Sequence, residues 1–404
     1  MILGEVLMMM IREAYLDMLR GSKNRQIIKV VTGIRRCGKS TVLEMFQDEL
    51  KKEGVTDEQI ISVNFEDPDY DDLKTYKALY DYINSKLQPD KMNYVFLDEI
   101  GLVEEWQKCV DGLFIKKNCD VYITGSNRYM LSSELATLLS GRYIEIEMLP
   151  LSFREYISYV GNDDLPKKYR TYLENSSFPY LVDVSDRKQI RAYLDGLYHT
   201  VLLNDVVARK KIANAAILKS VTKFMFDNIA NITSMNNITE TLNANGRKIS
   251  LPTVETYIEA LCECFLLYRI GRYDIKGKQH LKTGDKYYLA DVGLRTYLLG
   301  RNSIDTSKAL ENVVYLELLR RGYEVFIGKI DEYEVDFIAI GDRGTEYYQV
   351  SVTTRDEKTL ERELRPLNGI SDHNHKVLLT LDEDPLTSYN GIEKINALEW
   401  LLEP

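Results

Sequence analysis

One run constrains this chain more than any other: Gly33-Ile-Arg-Arg-Cys-Gly-Lys-Ser40, set between the β-branched segment Ile27 to Thr32 and the apolar-periodic Val42, Leu43, Phe46 and Leu50. The order is strand, glycine loop, helix. In such a loop the glycines let successive backbone N–H groups curl around phosphates at a helix N-terminus. A lysine at position 39 neutralises β- and γ-phosphate charge, and a serine hydroxyl at position 40 ligates Mg²⁺. Gly33, Ile34, Arg35, Arg36, Cys37, Gly38, Lys39, Ser40 and Thr41 are therefore expected to hold ATP, with Mg²⁺ as its companion.

Ile60 to Phe65, Tyr94 to Leu97 and Val121 to Thr124 read as buried strands separated by helical stretches. That pattern predicts a mostly parallel, three-layer α/β domain over residues 1–150. The third strand ends in Asp98-Glu99. After a phosphate loop, one acid is needed for the Mg²⁺ shell and a second to orient water, so Asp98 is assigned to the metal and Glu99 to the water. Thr124-Gly-Ser-Asn127 puts small polar groups at the carboxyl end of the sheet, where ligands of open α/β sheets bind. Asn127 or Ser126 could sense the γ-phosphate; either could equally form a turn. Arg35, Arg36, Arg128 and Arg142 are candidates to stabilise transition-state charge, with Arg142 the one assigned, although a surface ion pair is the default for each. Glu66 and Asp67 could reach the same site or form a solvated loop.

A chain of 404 residues has room for two or three domains. Its 52 Lys and Arg against 62 Asp and Glu give a net charge of -10, which excludes a surface that coats nucleic acid everywhere and leaves room for a local basic patch. No apolar run has the length of a membrane span, and the start lacks the basic residues of a signal peptide, so the expected location is cytoplasmic with no membrane role. Five cysteines without CxxC spacing argue against a disulfide framework or a zinc site.

Residues 151–210 are helical in pattern and rich in Tyr, as a lid and linker would be. Over residues 211–300, helices are expected at Ile217 to Ile229 and Ile238 to Leu242. A third follows Ser250, with Pro252 in its first turn and Val254, Tyr257, Ile258, Leu261 and Phe265 on one face. Two strands then meet at Lys276-Gly-Lys278. Helix, helix and basic hairpin outline a winged helix-turn-helix, whose Arg269, Arg272, Lys276, Lys278 and Lys282 could contact double-stranded DNA. Glu255, Glu259 and Glu263 form an acidic stripe on the would-be recognition helix, which phosphates would repel; a protein contact is the competing role. Residues 301–404 read as a further α/β module.

The runs GIRRCGKST, VNFED, VFLDEI followed by Trp106, ITGSN and SGRYIEIEMLPLSFREY together resemble the bacterial and archaeal AAA+ ATPases that carry a C-terminal domain of unknown function. The likeness continues through Ser176 to Pro179, Leu202 to Arg209 and Tyr287 to Leu294. It implies an α/β P-loop NTPase (AAA+) core that binds ATP and Mg²⁺, a helical lid, a winged helix, and a restriction-endonuclease-like module resembling PD-(D/E)xK nucleases. Glu311 and Asp336 match two metal carboxylates of that nuclease pattern. The third position reads Gln349-Val-Ser351, without acid or lysine, and Lys358 nearby is a candidate substitute; a catalytically silent module is expected. The function expected is ATP hydrolysis coupled to the C-terminal modules. The alternative is a nucleotide-gated switch or scaffold with little turnover, partnered by a protein, DNA or a second copy of the chain.

Overall fold

The computed structural model describes residues 10–128, 139–208, 212, 214–300 and 305–403, with backbone alone at 203, 204, 208, 282 and 283. Arg209 and the side chain of Lys282 therefore lie outside the described residues. The chain divides into two compact units, residues 1–148 with 263–265, and residues 149–262 with 266–404.

In the first unit the expected strands are β1 (Ile28–Thr32), β2 (Ile60–Asn64), β3 (Asn93–Asp98) and β4 (Cys119–Gly125). A fifth, β5 (Tyr143–Glu147), was not among the strands expected from apolar runs. Its alternating Tyr-Ile-Glu-Ile-Glu pattern suits an edge position, with one apolar face and one polar face. All pairings are parallel in the order β2-β3-β4-β1-β5. β1 is buried throughout, as a central strand flanked on both faces should be. One face packs Val30, Val63, Leu97 and Ile123 against helices α3 (Tyr76–Lys86) and α4 (Trp106–Phe114) of this unit. The buried Lys29 of β1 is neutralised by Asp120 of β4, which also accepts from the Asn24 N–H and the Tyr122 hydroxyl, both at 2.8 Å. Helices α1 (Glu13–Ser22) and α2 (Lys39–Lys52) complete the elements around the phosphate loop.

The second unit begins with α5 (Phe153–Val160). Ser152 accepts from the Glu155 N–H at 3.0 Å while Glu155 accepts from the Ser152 N–H at 2.7 Å, a reciprocal cap that explains the local Ser-Phe-Arg-Glu spelling. Helices α6 (Leu165–Asn175), α7 (Arg187–Thr200), α8 (Ala215–Asp227), α9 (Met235–Ala244), α10 (Leu251–Glu263) and α11 (Val292–Leu299) follow. The buried Asp291 ties two distant segments together: it accepts from the Ser177 N–H (2.7 Å), the Ser177 hydroxyl (2.6 Å) and the Leu294 N–H at the start of α11 (2.8 Å).

An eight-stranded sheet of order β12-β13-β11-β10-β9-β8-β6-β7 closes the unit. Its members are β6 (Leu267–Asp274), β7 (Gln279–Leu289), β8 (Glu324–Ile330), β9 (Tyr333–Gly341), β10 (Gly344–Ser351), β11 (His375–Thr380), β12 (Thr387–Tyr389) and β13 (Ile392–Asn396). The hairpin β6-β7 is not a free wing. β6 runs parallel to β8 in the register Arg272↔Ile327 to Asp274↔Lys329, so the sheet continues across the boundary expected near residue 300. Asn312 of α12 (Thr306–Arg320) adds a second join, accepting from the Leu289 N–H at 2.7 Å and donating to the Leu289 carbonyl at 2.9 Å. Helix α13 (Glu357–Asn368) packs Leu364 and Leu367 with Ile338, Tyr347 and Leu378 of the sheet. Among the described residues, no helix is long and apolar enough to cross a membrane.

Candidate nucleotide site

The loop after β1 is shaped by backbone that side chains tolerate poorly. Gly33 has φ +142° and a Cβ placed there would stand 2.1 Å from the Met148 carbonyl oxygen; Gly38 has φ +106°. Gly38 also occupies the cap of α2, which has no side-chain cap and no acid in its first turn, so nothing from α2 itself competes with an anion for its first N–H groups. Arg12 (3 % exposed) donates to the Cys37 carbonyl at 3.0 Å. Because the carbonyl and N–H of a trans peptide point in opposite directions, this bond turns the Gly38 N–H away from Arg12.

The Lys39 ammonium donates to the carbonyls of Gly33 (3.0 Å) and Ile34 (3.3 Å) and stands 3.5 Å from Glu99. β4 lies between β1 and β3, and its Thr124 connects the acids: the hydroxyl accepts from the Glu99 N–H at 2.8 Å and donates to Asp98. Ser40 hydrogen-bonds Asp98. Burial pushes the Asp98 carboxyl up, reinforced by Glu99 and opposed by the Ser40 and Thr124 hydrogen bonds and by Lys39. Glu99 itself sits in left-handed backbone, φ +51°, at the turn after the strand. Ser126 and Asn127 are buried at the carboxyl end of β4, and the Ser126 hydroxyl is enclosed without a hydrogen-bond partner among the described residues. Burial also pushes the Cys37 thiol up, which makes it an inert packing group.

The structure thus brings together Gly33, Ile34, Gly38, Lys39, Ser40, Asp98, Glu99 and Asn127 at the carboxyl end of the sheet. Thr41 is exposed on the first turn of α2 and Arg36 is exposed on the loop at φ +67°. Arg35 pairs with Glu66 at 2.5 Å. Arg142 is a correction. The Ile28 N–H donates to its carbonyl and its guanidinium pairs with Asp111, so it precedes the first rung of β5, at the amino end of the sheet. Five rungs at about 3.3 Å place it roughly 16 Å from the phosphate loop, beyond a side chain's reach. Arg128, held by Glu147 at 2.9 and 3.0 Å, lies with Arg35 and Arg36 toward the carboxyl end of the sheet. Thr124, which links the two acids, reads from sequence as one of the small polar groups at the carboxyl end of the sheet, with no role of its own assigned. The polar segment Thr124-Gly-Ser-Asn127 was its signal.

A mixed α/β unit with this strand order, an uncapped glycine-loop helix and a convergent acid pair defines a P-loop NTPase fold, and through its AAA domain the chain belongs with the AAA+ ATPases. The family model described as an AAA domain matches residues 25–157, and one described as a domain of unknown function (DUF8612) matches residues 166–305. An uncharacterized protein of Haemophilus influenzae is 38% identical over 400 residues, spanning 98% of this chain and 99% of that protein. An uncharacterized protein of Methanocaldococcus jannaschii is 29% identical over 395 residues, spanning 92% and 84%. Among solved structures, a Walker-type ATPase of Pyrococcus abyssi shares the fold with a TM-score of 0.50 at 16% identity, over 72% of this chain and 96% of that one. The first unit is accordingly a nucleotide-binding AAA domain.

Proposed function

We propose that the protein hydrolyses ATP with Mg²⁺ at the loop of residues 33–41 and that nucleotide state governs what the second unit presents to a partner. The observation that carries this reading is the convergence of Lys39, Ser40, Asp98 and Glu99 at the carboxyl end of the sheet, the two acids linked through Thr124. The residues suit the metal: a serine hydroxyl and a carboxylate already hydrogen-bonded to each other are hard oxygen donors. When bound, Mg²⁺ neutralises phosphate charge. In the proposed cycle the loop N–H groups bind the phosphates, and Lys39 leaves the Gly33 and Ile34 carbonyls for phosphate oxygen. Its departure frees Glu99 to orient water, while Ser126 or Asn127 contacts the γ-phosphate. Arg128 is better placed than Arg142 for charge stabilisation within the chain.

The Lys39–Glu99 pair also favours the second reading, a switch with little turnover, because an acid held by lysine does not orient water. Phosphate release by wild type and Glu99→Gln, with nucleotide binding followed in parallel, separates the two. Turnover in wild type that falls by about 10²-fold or more in the variant, with binding retained, supports hydrolysis. Bound nucleotide without wild-type turnover supports the switch.

For the partner of the second unit, the surface charge supports a protein over DNA. Arg269 pairs with Asp285 at 2.5 Å and Lys276 with Asp331 at 2.5 Å, whereas Glu255 and Glu259 are exposed on α10. Arg272 is half-buried and Lys278 exposed. Repeating the turnover assay with added double-stranded DNA tests this, stimulation being the result that reverses it.

A further inference from the structure

The resemblance to PD-(D/E)xK nucleases implies a divalent metal between Glu311 and Asp336, and the second unit does not fit one. We infer that this carboxylate cluster is closed to divalent cations because Lys286 supplies its cation from within the chain, locking the β6-β7 hairpin onto the C-terminal module.

Glu334 and Asp336 lie two apart on β9 and so face the same side of the sheet; Glu311 comes from α12. Into the space between them β7 delivers Lys286, only 3 % exposed, with its ammonium 2.7 Å from Glu334, 2.9 Å from Glu311 and 3.9 Å from Asp336. The Glu311 contact is a charge-assisted hydrogen bond, and Glu334 and Asp336 stand at ion-pair distance. Tyr288 donates to the same Glu311 oxygen at 2.7 Å. The second Asp336 oxygen accepts from the Val350 N–H at 2.8 Å. Where the nuclease pattern has its third acid, Gln349 uses both ends of its amide, accepting from the Asp336 N–H at 3.4 Å and donating to Glu363 at 2.9 Å.

A divalent ion would have to displace the ammonium, break the Tyr288 and Val350 bonds, and complete a six-oxygen shell from this set. As arranged with Lys286 in place, no group of three or more His, Cys, Asp or Glu among the described residues is set to hold a metal ion. The ammonium thus stands among three carboxyl groups, where a metal ion would otherwise have to sit. Lys358, the substitute that sequence offers, is exposed on α13.

The test is Mn²⁺ binding followed by electron paramagnetic resonance on the full chain without nucleotide, in an Asp98→Asn background that silences the phosphate-loop metal position. The expected result is no Mn²⁺ bound at this cluster, identical with and without Asp336→Asn. Adding Lys286→Met should bring in about one equivalent of Mn²⁺, lost again with Asp336→Asn. Mn²⁺ bound with Lys286 intact and lost on Asp336→Asn would overturn the inference, as would a folded Lys286→Met chain that still binds none. Should Lys286→Met not fold, the comparison with and without Asp336→Asn decides the question alone.

Discussion

Replacing Gly33 by alanine tests whether the phosphate loop is built on the closeness of two backbones. The added Cβ would stand 2.1 Å from the Met148 carbonyl oxygen, 3.1 Å from the carbon behind it and 3.2 Å from the Cys37 sulfur. The Met148 peptide cannot retreat freely, because its N–H donates to the Thr32 carbonyl at 2.7 Å. Relief therefore costs that hydrogen bond, about 1 kcal/mol. A non-glycine residue at φ +142° adds strain of about 1–3 kcal/mol. The sum, about 2–4 kcal/mol, should lower the melting temperature of this unit on the order of 5–15 °C and weaken nucleotide binding as the loop opens. The control is Gly54→Ala, where φ is +96° and nothing among the described residues lies within 4 Å of the new Cβ, so only strain is incurred. Thermal unfolding and titration with a fluorescent ATP analogue, run on both variants, measure the difference. Equal losses in the two would refute the close-approach argument.

Asp291→Ala strands three buried donors, Ser177 N–H, Ser177 hydroxyl and Leu294 N–H, and should destabilise the second unit by about 3–5 kcal/mol in urea unfolding. Arg142→Ala should leave nucleotide affinity within about twofold of wild type, since only a half-exposed pair worth about 0–1 kcal/mol is lost. Asp382 gives a pH signature: burial raises its carboxyl, but Thr353, Thr354 and Lys394 outweigh this and hold it at about 2. Its folded value is below the ordinary one, so its stabilisation, about 2 kcal/mol, is present above the ordinary carboxylate range and lost as pH falls through about 4 to 2. Acid unfolding followed by circular dichroism should show a shallower limb in Asp382→Asn than in wild type.

The nucleotide site was legible because its geometry is written locally. The glycines, Lys39 and Ser40 are contiguous, and the backbone they impose needs no distant partner to be read. Asp98 and Glu99 were readable from the strand that ends in them. Arg142 misled because sequence distance does not report which end of a parallel strand a residue occupies; its place follows only from the register of β5 on β1. β5 itself carries an alternating pattern that a search for wholly apolar runs passes over. Lys286 was hidden for a different reason. Its partners Glu311, Glu334 and Asp336 lie on a helix and a strand beyond the hairpin, and by sequence alone a lysine on this basic hairpin reads no differently from exposed Lys278.

The seam between β6 and β8 has a consequence for anyone dividing this protein. Strands that share a ladder cannot be separated without leaving two rows of unpaired N–H and carbonyl groups, each a template for joining another chain. A fragment ending near residue 300 would carry one raw edge and its complement the other. The two halves would be sticky rather than soluble, and a truncation that tests them apart would report aggregation instead of function.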